Sequence, residues 1–199
     1  MQSTVNKIEN EIKRRKRGRI YFADDFTALG TSEAIKKALL RFEKSGMLVR
    51  LAHGIYLYPA MDKKLGLGIL FPGVETVARE IARRDKARIV PTGLYALNVM
   101  GLSTQVPTNI VFHTDGAPRK IKVYNQLITF KHVVPKNLAY KSELLMLAVS
   151  ALKEIGEHSV SENQMNTVKK VLSQETKENV LQDINLAPVW IRKKIQQII

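Results

Sequence analysis

The apolar positions of the chain fall into helix-period stripes and short β-rich runs, in an order that can be read directly. Val5, Ile8 and Ile12 recur at three- and four-residue steps, with Lys7, Glu9, Asn10 and Glu11 opposite. This spacing predicts a helix over 5–15, closed by Gly18. Ile20-Tyr21-Phe22 predicts a short strand. Asp24 or Asp25 can cap a brief second helix carrying Phe26 and Leu29 and stopping at Gly30. Thr31-Ser32 opens a third helix to about Lys44, in which Ile35, Ala38, Leu39 and Phe42 form one stripe. Leu48-Val49-Arg50-Leu51 and Ile55-Tyr56-Leu57-Tyr58 flank the His53-Gly54 turn and predict a hairpin.

Residues 59–73 mix Pro, Gly and Lys-Lys and read as a connector. Val74, Val77, Ala78 and Ile81 then line one face of a helix over 74–84, and a shorter helix over 93–100 follows Pro91. Strands are expected over 109–113, 120–123 and 127–132, with Asp115-Gly116 and Asn125 in the turns. A strong helix spans 141–155, with Ser142 as cap and Leu144, Leu145, Ala148, Ala151, Leu152 and Ile155 in its stripe. The tail from 161 is mostly helical, and Pro188 suits the first turn of a last helix. The expected fold class is α+β: an N-terminal domain over 1–58, a linker over 59–73, and a mixed α/β domain with a helical tail over 74–199.

Charge changes the picture. The 199 residues include 32 Lys+Arg against 18 Asp+Glu, a formal net charge of +14 and a pI of about 10. Such an excess is not needed for folding and repels itself, so an anionic partner is its simplest explanation. Residues 1–60 hold 12 basic and 6 acidic residues, net +6, which leaves 20 and 12, net +8, for 61–199. There are no cysteines, which excludes disulfides, thiol catalysis and Cys-ligated metal. No apolar h-region follows the N-terminus and no run approaches the roughly 18–20 residues of a membrane span, so a cytoplasmic protein without membrane contact is expected.

The order helix, short strand, helix, turn, helix, hairpin over 5–58 is the layout of a winged helix-turn-helix. In that layout the apolar stripe of the third helix is held from behind, and its opposite face can enter a DNA major groove about 12 Å wide. Lys37 then lies on the far face with Glu33 and Lys44, flanked by Ser32, Lys36 and Arg41. Thr31 and Ser32 at the helix start suit a phosphate or a base edge. Arg50 and His53 lie near the wing tip, and Lys13 to Arg19, with Arg14, Arg15 and Arg17, can neutralise phosphates or supply a minor-groove arm. Simpler readings stand beside these. The basic run can be a solvated helix end, Lys36 and Lys37 can be solubilising, and Glu33 can pair with Lys37 at i+4 rather than accept from cytosine. Arg79, Arg83, Arg84, Lys86, Arg88, Arg119, Lys120 and Lys122 can add phosphate contacts or form a dispersed basic surface.

Asp25-Phe26-x-x-Leu29-Gly30-Thr31, Ala34-Ile35-x-x-Ala38-Leu39-x-Arg41-Phe42, Gly46-x-Leu48-x-Arg50-Leu51 and Gly54-Ile55-Tyr56 together resemble the N-terminal domain of AbiEi-type antitoxins of bacterial type IV toxin–antitoxin systems. Thr92-Gly93-x-x-Ala96-Leu97-x-x-x-Gly101-Leu102 resembles a small-residue helix of that family's second domain. The resemblance covers 5–58 well and 74–135 loosely. It implies a repressor of its own operon that binds double-stranded operator DNA. It also implies a C-terminal domain that opposes a nucleotidyltransferase-like toxin without necessarily binding it. The expected oligomeric state is a monomer or a homodimer.

Other classes find less in the sequence. Gly66-x-Gly68 lacks the third glycine of a dinucleotide fingerprint, and there is no P-loop. His53, His113, His132 and His158 are scattered, and His113 with Asp115 is a weak metal pair. No enzyme and no cofactor are expected. An RNA-binding or ribosome-associated protein fits the high pI equally well, although no RNP-like aromatic run or GxxG clamp is present. The stripes at 144–155 and 168–181 can serve a core or a partner.

Overall fold

The computed structural model describes residues 3–62 and 66–199. The protein is α+β and divides into two compact units, 1–80 and 81–199.

The first unit begins with α1 (Thr4–Lys13), whose Ser3 cap accepts a hydrogen bond from Asn6 N. The helix ends at Lys13 rather than at 15 or at Gly18: Arg14 is its C-cap, and 14–19 are irregular. β1 (Ile20–Phe22) follows, then a 3-10 turn over Ala23–Leu29. Asp25, not Asp24, supplies the carboxylate there, accepting from Phe22 N at 2.8 Å. α2 (Ser32–Lys44) is capped by Thr31, whose hydroxyl accepts from Ala34 N at 3.3 Å. β2 (Val49–Ala52) and β3 (Ile55–Leu57) form the expected hairpin, with a register shift between Arg50 and Ala52. β3 also pairs with β1, giving an antiparallel sheet in the order β1-β3-β2.

One core holds these elements. Ile8 and Ile12 of α1, Phe26, and Ile35, Ala38, Leu39 and Phe42 of α2 are buried together with Tyr21, Leu48, Tyr56 and Tyr58. Tyr21 stacks on Phe26 at 5.6 Å between ring centroids. Each large side chain so buried contributes roughly 1.5–3 kcal/mol, and the helix stripe predicted from spacing is the stripe that is buried.

The stretch read as a connector is not structureless. β4 (Ala60–Asp62) and β5 (Gly68–Leu70) pair antiparallel and belong to the first unit. Their strands are three residues each, too short for alternation to register in the sequence; residues 63–65 of the expected linker lie outside the described residues. The boundary between units falls within α3 (Val74–Arg84), not at 59–73.

The second unit contains β6 (Ile89–Thr92), α4 (Gly93–Val99), β7 (Asn109–Thr114), β8 (Arg119–Val123) and β9 (Gln126–His132). Three of the four strands lie where the sequence placed them. β6 escaped because Pro91 interrupts it; β6 is an edge strand, where the missing N–H costs no ladder bond. The sheet order is β6-β7-β9-β8, with β7 and β9 parallel and the other pairs antiparallel. Asn125 lies in the β8–β9 turn as expected, and Tyr124 beside it takes a left-handed φ of 53°. α5 (Glu143–Ile155) is capped by Ser142 and packs on α4 and β6. α6 (Glu162–Leu172), α7 (Lys177–Asp183) and α8 (Val189–Gln196) complete a helical core with α5. Leu145, Ala148, Leu152, Val168, Leu172 and Val180 are buried in it, whereas Leu181 is exposed. Asp183 is buried and accepts from the backbone N–H groups of Lys141 and Ser142, tying α7 to the start of α5.

Two glycines of the first unit are required for different reasons. Gly54 turns the hairpin at φ 71° with open space where a Cβ would sit. Gly30 is extended, and a Cβ there would lie 2.5 Å from Thr4 Cγ2. Gly54→Ala should therefore cost about 1–2 kcal/mol from backbone strain alone, with no second-site rescue at Thr4. Gly30→Ala should cost roughly 1–3 kcal/mol through overpacking and be largely restored by Thr4→Gly. Urea denaturation of the four proteins checks both; rescue of Gly54→Ala, or none for Gly30→Ala, contradicts this account.

Candidate nucleic-acid interface

The stripe Ile35, Ala38, Leu39 and Phe42 fixes how α2 sits, because one helix face must turn toward the apolar core. Everything about 180° away is left outside. Ser32, Glu33, Lys36, Lys37, Arg41 and Lys44 are all exposed, as are Thr31 and the apolar Leu40. Lys37 Nζ lies 2.7 Å from Glu33 Oε1, an i,i+4 ion pair with both side chains about three-quarters exposed. Pairs in such surroundings contribute about 0–1 kcal/mol, so Lys37 is lightly held. Among the described residues Lys36, Arg41 and Lys44 form no ion pair. Leu40 is the residue that pattern reading missed: an apolar side chain at 49% exposure in the middle of a cationic face. Its position between Lys37 and Arg41, outside the stripe, is the signal that could have found it.

The hairpin brings Arg50 and His53 together. Arg50 Nη2 donates to His53 Nδ1 at 3.1 Å, which requires the neutral imidazole with its proton on Nε2. Both are exposed at the turn.

The basic run behaves differently from a free arm. Gly18 N donates to Tyr58 O at 2.6 Å and Tyr58 N to Arg19 O at 2.8 Å, so its second half extends the sheet. Arg17 donates to Pro59 O at 3.0 Å and covers the Tyr58 ring at 4.7 Å. Arg19 lies over the Tyr21 ring at 5.5 Å. Lys13 and Arg15 pair with Glu9 and Glu11 one turn back, and Lys13 and Arg14 end α1 where cations complement the helix dipole. The second half of the run is therefore a pinned cationic edge rather than a free minor-groove arm, while Lys13 to Lys16 are a solvated helix end. Arg14, Arg15 and Arg17 remain exposed.

Three arginines of the second unit are held by carboxylates. Arg84 pairs with Asp85 at 2.9 Å, and Arg119 pairs with the same carboxylate while lying over the Phe130 ring. The Arg119 Nε is buried without an acceptor, and burial, then the neighbouring Arg84 charge, lowers its pKa. Arg88 spans Asp115 at 2.8 Å and the carbonyls of Leu138 and Pro135. These arginines act as brackets within the unit. Asp115 has both oxygens engaged by Arg88, so it is not the metal partner considered for His113. Among the described residues no group of three His, Cys, Asp or Glu could hold a metal ion. No helix among them is long and apolar enough to cross a membrane.

The molecule is thus a two-unit α+β protein whose first unit presents an exposed cationic helix face, an Arg–His turn and a pinned basic edge. The chain belongs to DUF6088, a family of unknown function whose model matches residues 7–180 and so spans both units. No curated protein matches the sequence.

The Arg88–Asp115 bracket carries a pH signature. Burial raises the Asp115 pKa, but hydrogen bonds from the Arg88 side chain and backbone, with its charge, outweigh that and hold it below the ordinary 3.8. A depressed carboxylate stabilises the fold above its unfolded value and loses that contribution as pH falls through the folded one. Arg88→Gln should be less stable at pH 7, and its deficit should shrink as pH falls below about 4. The remainder at low pH belongs to the two carbonyl contacts. Thermal unfolding from pH 7 to 2 checks this; a deficit independent of pH contradicts the bracket.

Proposed function

We propose that the protein is a DNA-binding transcriptional repressor that reads an operator duplex with the outward face of α2. The observation that carries this reading is that one helix is apolar on its core side and cationic, with Thr31, Ser32, Lys36, Lys37 and Arg41, on the side left in solvent. The element order and the β1-β3-β2 sheet support a winged helix-turn-helix, in which α2 is the recognition helix and Arg50 and His53 belong to the wing. Arg14, Arg15 and Arg17 then serve phosphates beside the groove. The antitoxin role against a nucleotidyltransferase-like toxin, autoregulation of the operon and a cytoplasmic location rest on the AbiEi resemblance and complete the proposal.

Affinity in this reading comes mainly from phosphates and specificity from α2. Lys37→Ala or Arg41→Ala should weaken operator binding by roughly 1–3 kcal/mol where the side chain reaches a base edge, with little effect on a scrambled duplex. Replacing Arg14, Arg15 and Arg17 together should weaken all sequences alike, and each phosphate that is no longer neutralised should flatten the log–log salt slope by about 0.9. Glu33→Gln should tighten every duplex modestly, since it removes a negative charge from the face and frees Lys37. Anisotropy titrations on operator and scrambled duplexes, with structured RNA as competitor, check all three. Preference for the RNA, or a triple variant with unchanged slope, contradicts the reading.

A further inference from the structure

The sheet of the second unit has two unlike faces. Directly paired residues share a face, so the register places Val90, His113, Lys131, Thr129, Lys120 and Lys122 on one side. Ile110, Phe112, Ile128 and Phe130 occupy the other and are buried. Helix α5 packs over β6 on the first side, and between α5 and the strands lies a cavity of about 150 Å³. Lys153 and Ser150 of α5 line it opposite His113, with Tyr140 and Asn137 also lining it. Beyond the cavity, over β9 and β8, Lys131, Lys120 and Lys122 are exposed.

This arrangement repels itself. Lys131 and Lys153 both act on the half-buried His113, and burial, followed by those two charges, lowers its pKa. Among the described residues none of Lys120, Lys122, Lys131 and Lys153 forms an ion pair, whereas Arg84, Arg88 and Arg119 each have a carboxylate. Glu154 also lines the cavity, but its Oε2 lies beside Gly93 at the start of α4. Ser150 is committed to Pro91 O at 2.8 Å. Tyr140 stays a phenol at neutral pH, since burial and the Asp183 charge push it up to about 12.

We propose that this cavity binds a phosphate monoester, its phosphate seated between Lys153 and His113 and within reach of Lys131, the exposed cross-strand neighbour of His113, with the rest of the molecule lying over Lys120 and Lys122. At about 150 Å³ the cavity has room for a phosphate group. The group carries about −1.5 to −2 at neutral pH, which two lysines balance; a carboxylate would leave one uncompensated. Tyr140 and Asn137 supply neutral donors. The inference stands on the second unit alone and is independent of the DNA reading.

The test is NMR of the full chain, followed at the His113 ring and the Lys131 and Lys153 amides. Ribose 5-phosphate should shift these signals saturably and ribose should not. Lys153→Gln and Lys131→Gln should each weaken the binding about tenfold or more, while Lys170→Gln, on the surface of α6, should leave it unchanged. A hexathymidylate strand with a 5′-phosphate, compared with its 5′-hydroxyl form, distinguishes the sources. Tighter binding of the phosphorylated strand than of ribose 5-phosphate assigns the site to a nucleic-acid end; the reverse order assigns it to a small metabolite. No saturable shift at His113 overturns the proposal. So does parent-like binding by both cavity variants with native spectra, or a 5′-hydroxyl strand that shifts His113 as much as the phosphorylated one.

Discussion

The burial of the α2 stripe is the constraint from which the first unit takes its form. Ile35, Ala38, Leu39 and Phe42 cannot all leave water unless α1, the 3-10 turn and the sheet close around them. Once they do, the rotation of α2 about its axis is no longer free. The 3.6-residue period then dictates that Lys37 and Lys44 face solvent, with Lys36 and Arg41 beside them. The cationic face is therefore a consequence of the core rather than an added feature. Four apolar residues set the orientation of six polar ones, and no surface interaction there is strong enough to do so, the Glu33–Lys37 pair included.

Charge in this protein has two roles that composition alone merges. Arginines near carboxylates and carbonyls, such as Arg88 and Arg119, close the second unit on itself. The planar fork of arginine suits several fixed acceptors at once. The lysines of the open sheet face have no such acceptors among the described residues, and the exposed set on α2 has one light ion pair among them. The bracing arginines are offset by their carboxylates, so the net charge of +14 lies on the other basic side chains.

Periodicity made much of this legible. The stripes of α1, α2 and α5 and the alternation in β7, β8 and β9 are strong enough to place those elements within a residue or two. The cap residues Thr31 and Ser142 were readable because a hydroxyl before an apolar stripe has a specific backbone partner. What escaped lacked period. β4, β5 and β6 are three or four residues long, and β6 contains a proline. The helix end at Lys13 depended on a tertiary fact, that 18–19 pair with Tyr58, which no local pattern contains. The exposure of Ser32, Lys36, Lys37 and Arg41 followed from the stripe of α2. The Arg17–Tyr58, Arg50–His53 and Arg88–Asp115 pairings did not, since each joins groups that the fold brings together.

The central claim is that a duplex is read by the face of α2 opposite its buried stripe. Backbone amide shifts of the full chain, recorded as its own upstream duplex is added, test this most directly. The account predicts that the largest changes fall at Thr31, Ser32, Lys36, Lys37, Leu40 and Arg41, with smaller ones at Arg50, His53 and the basic edge. A duplex that binds while those α2 amides stay still would contradict it.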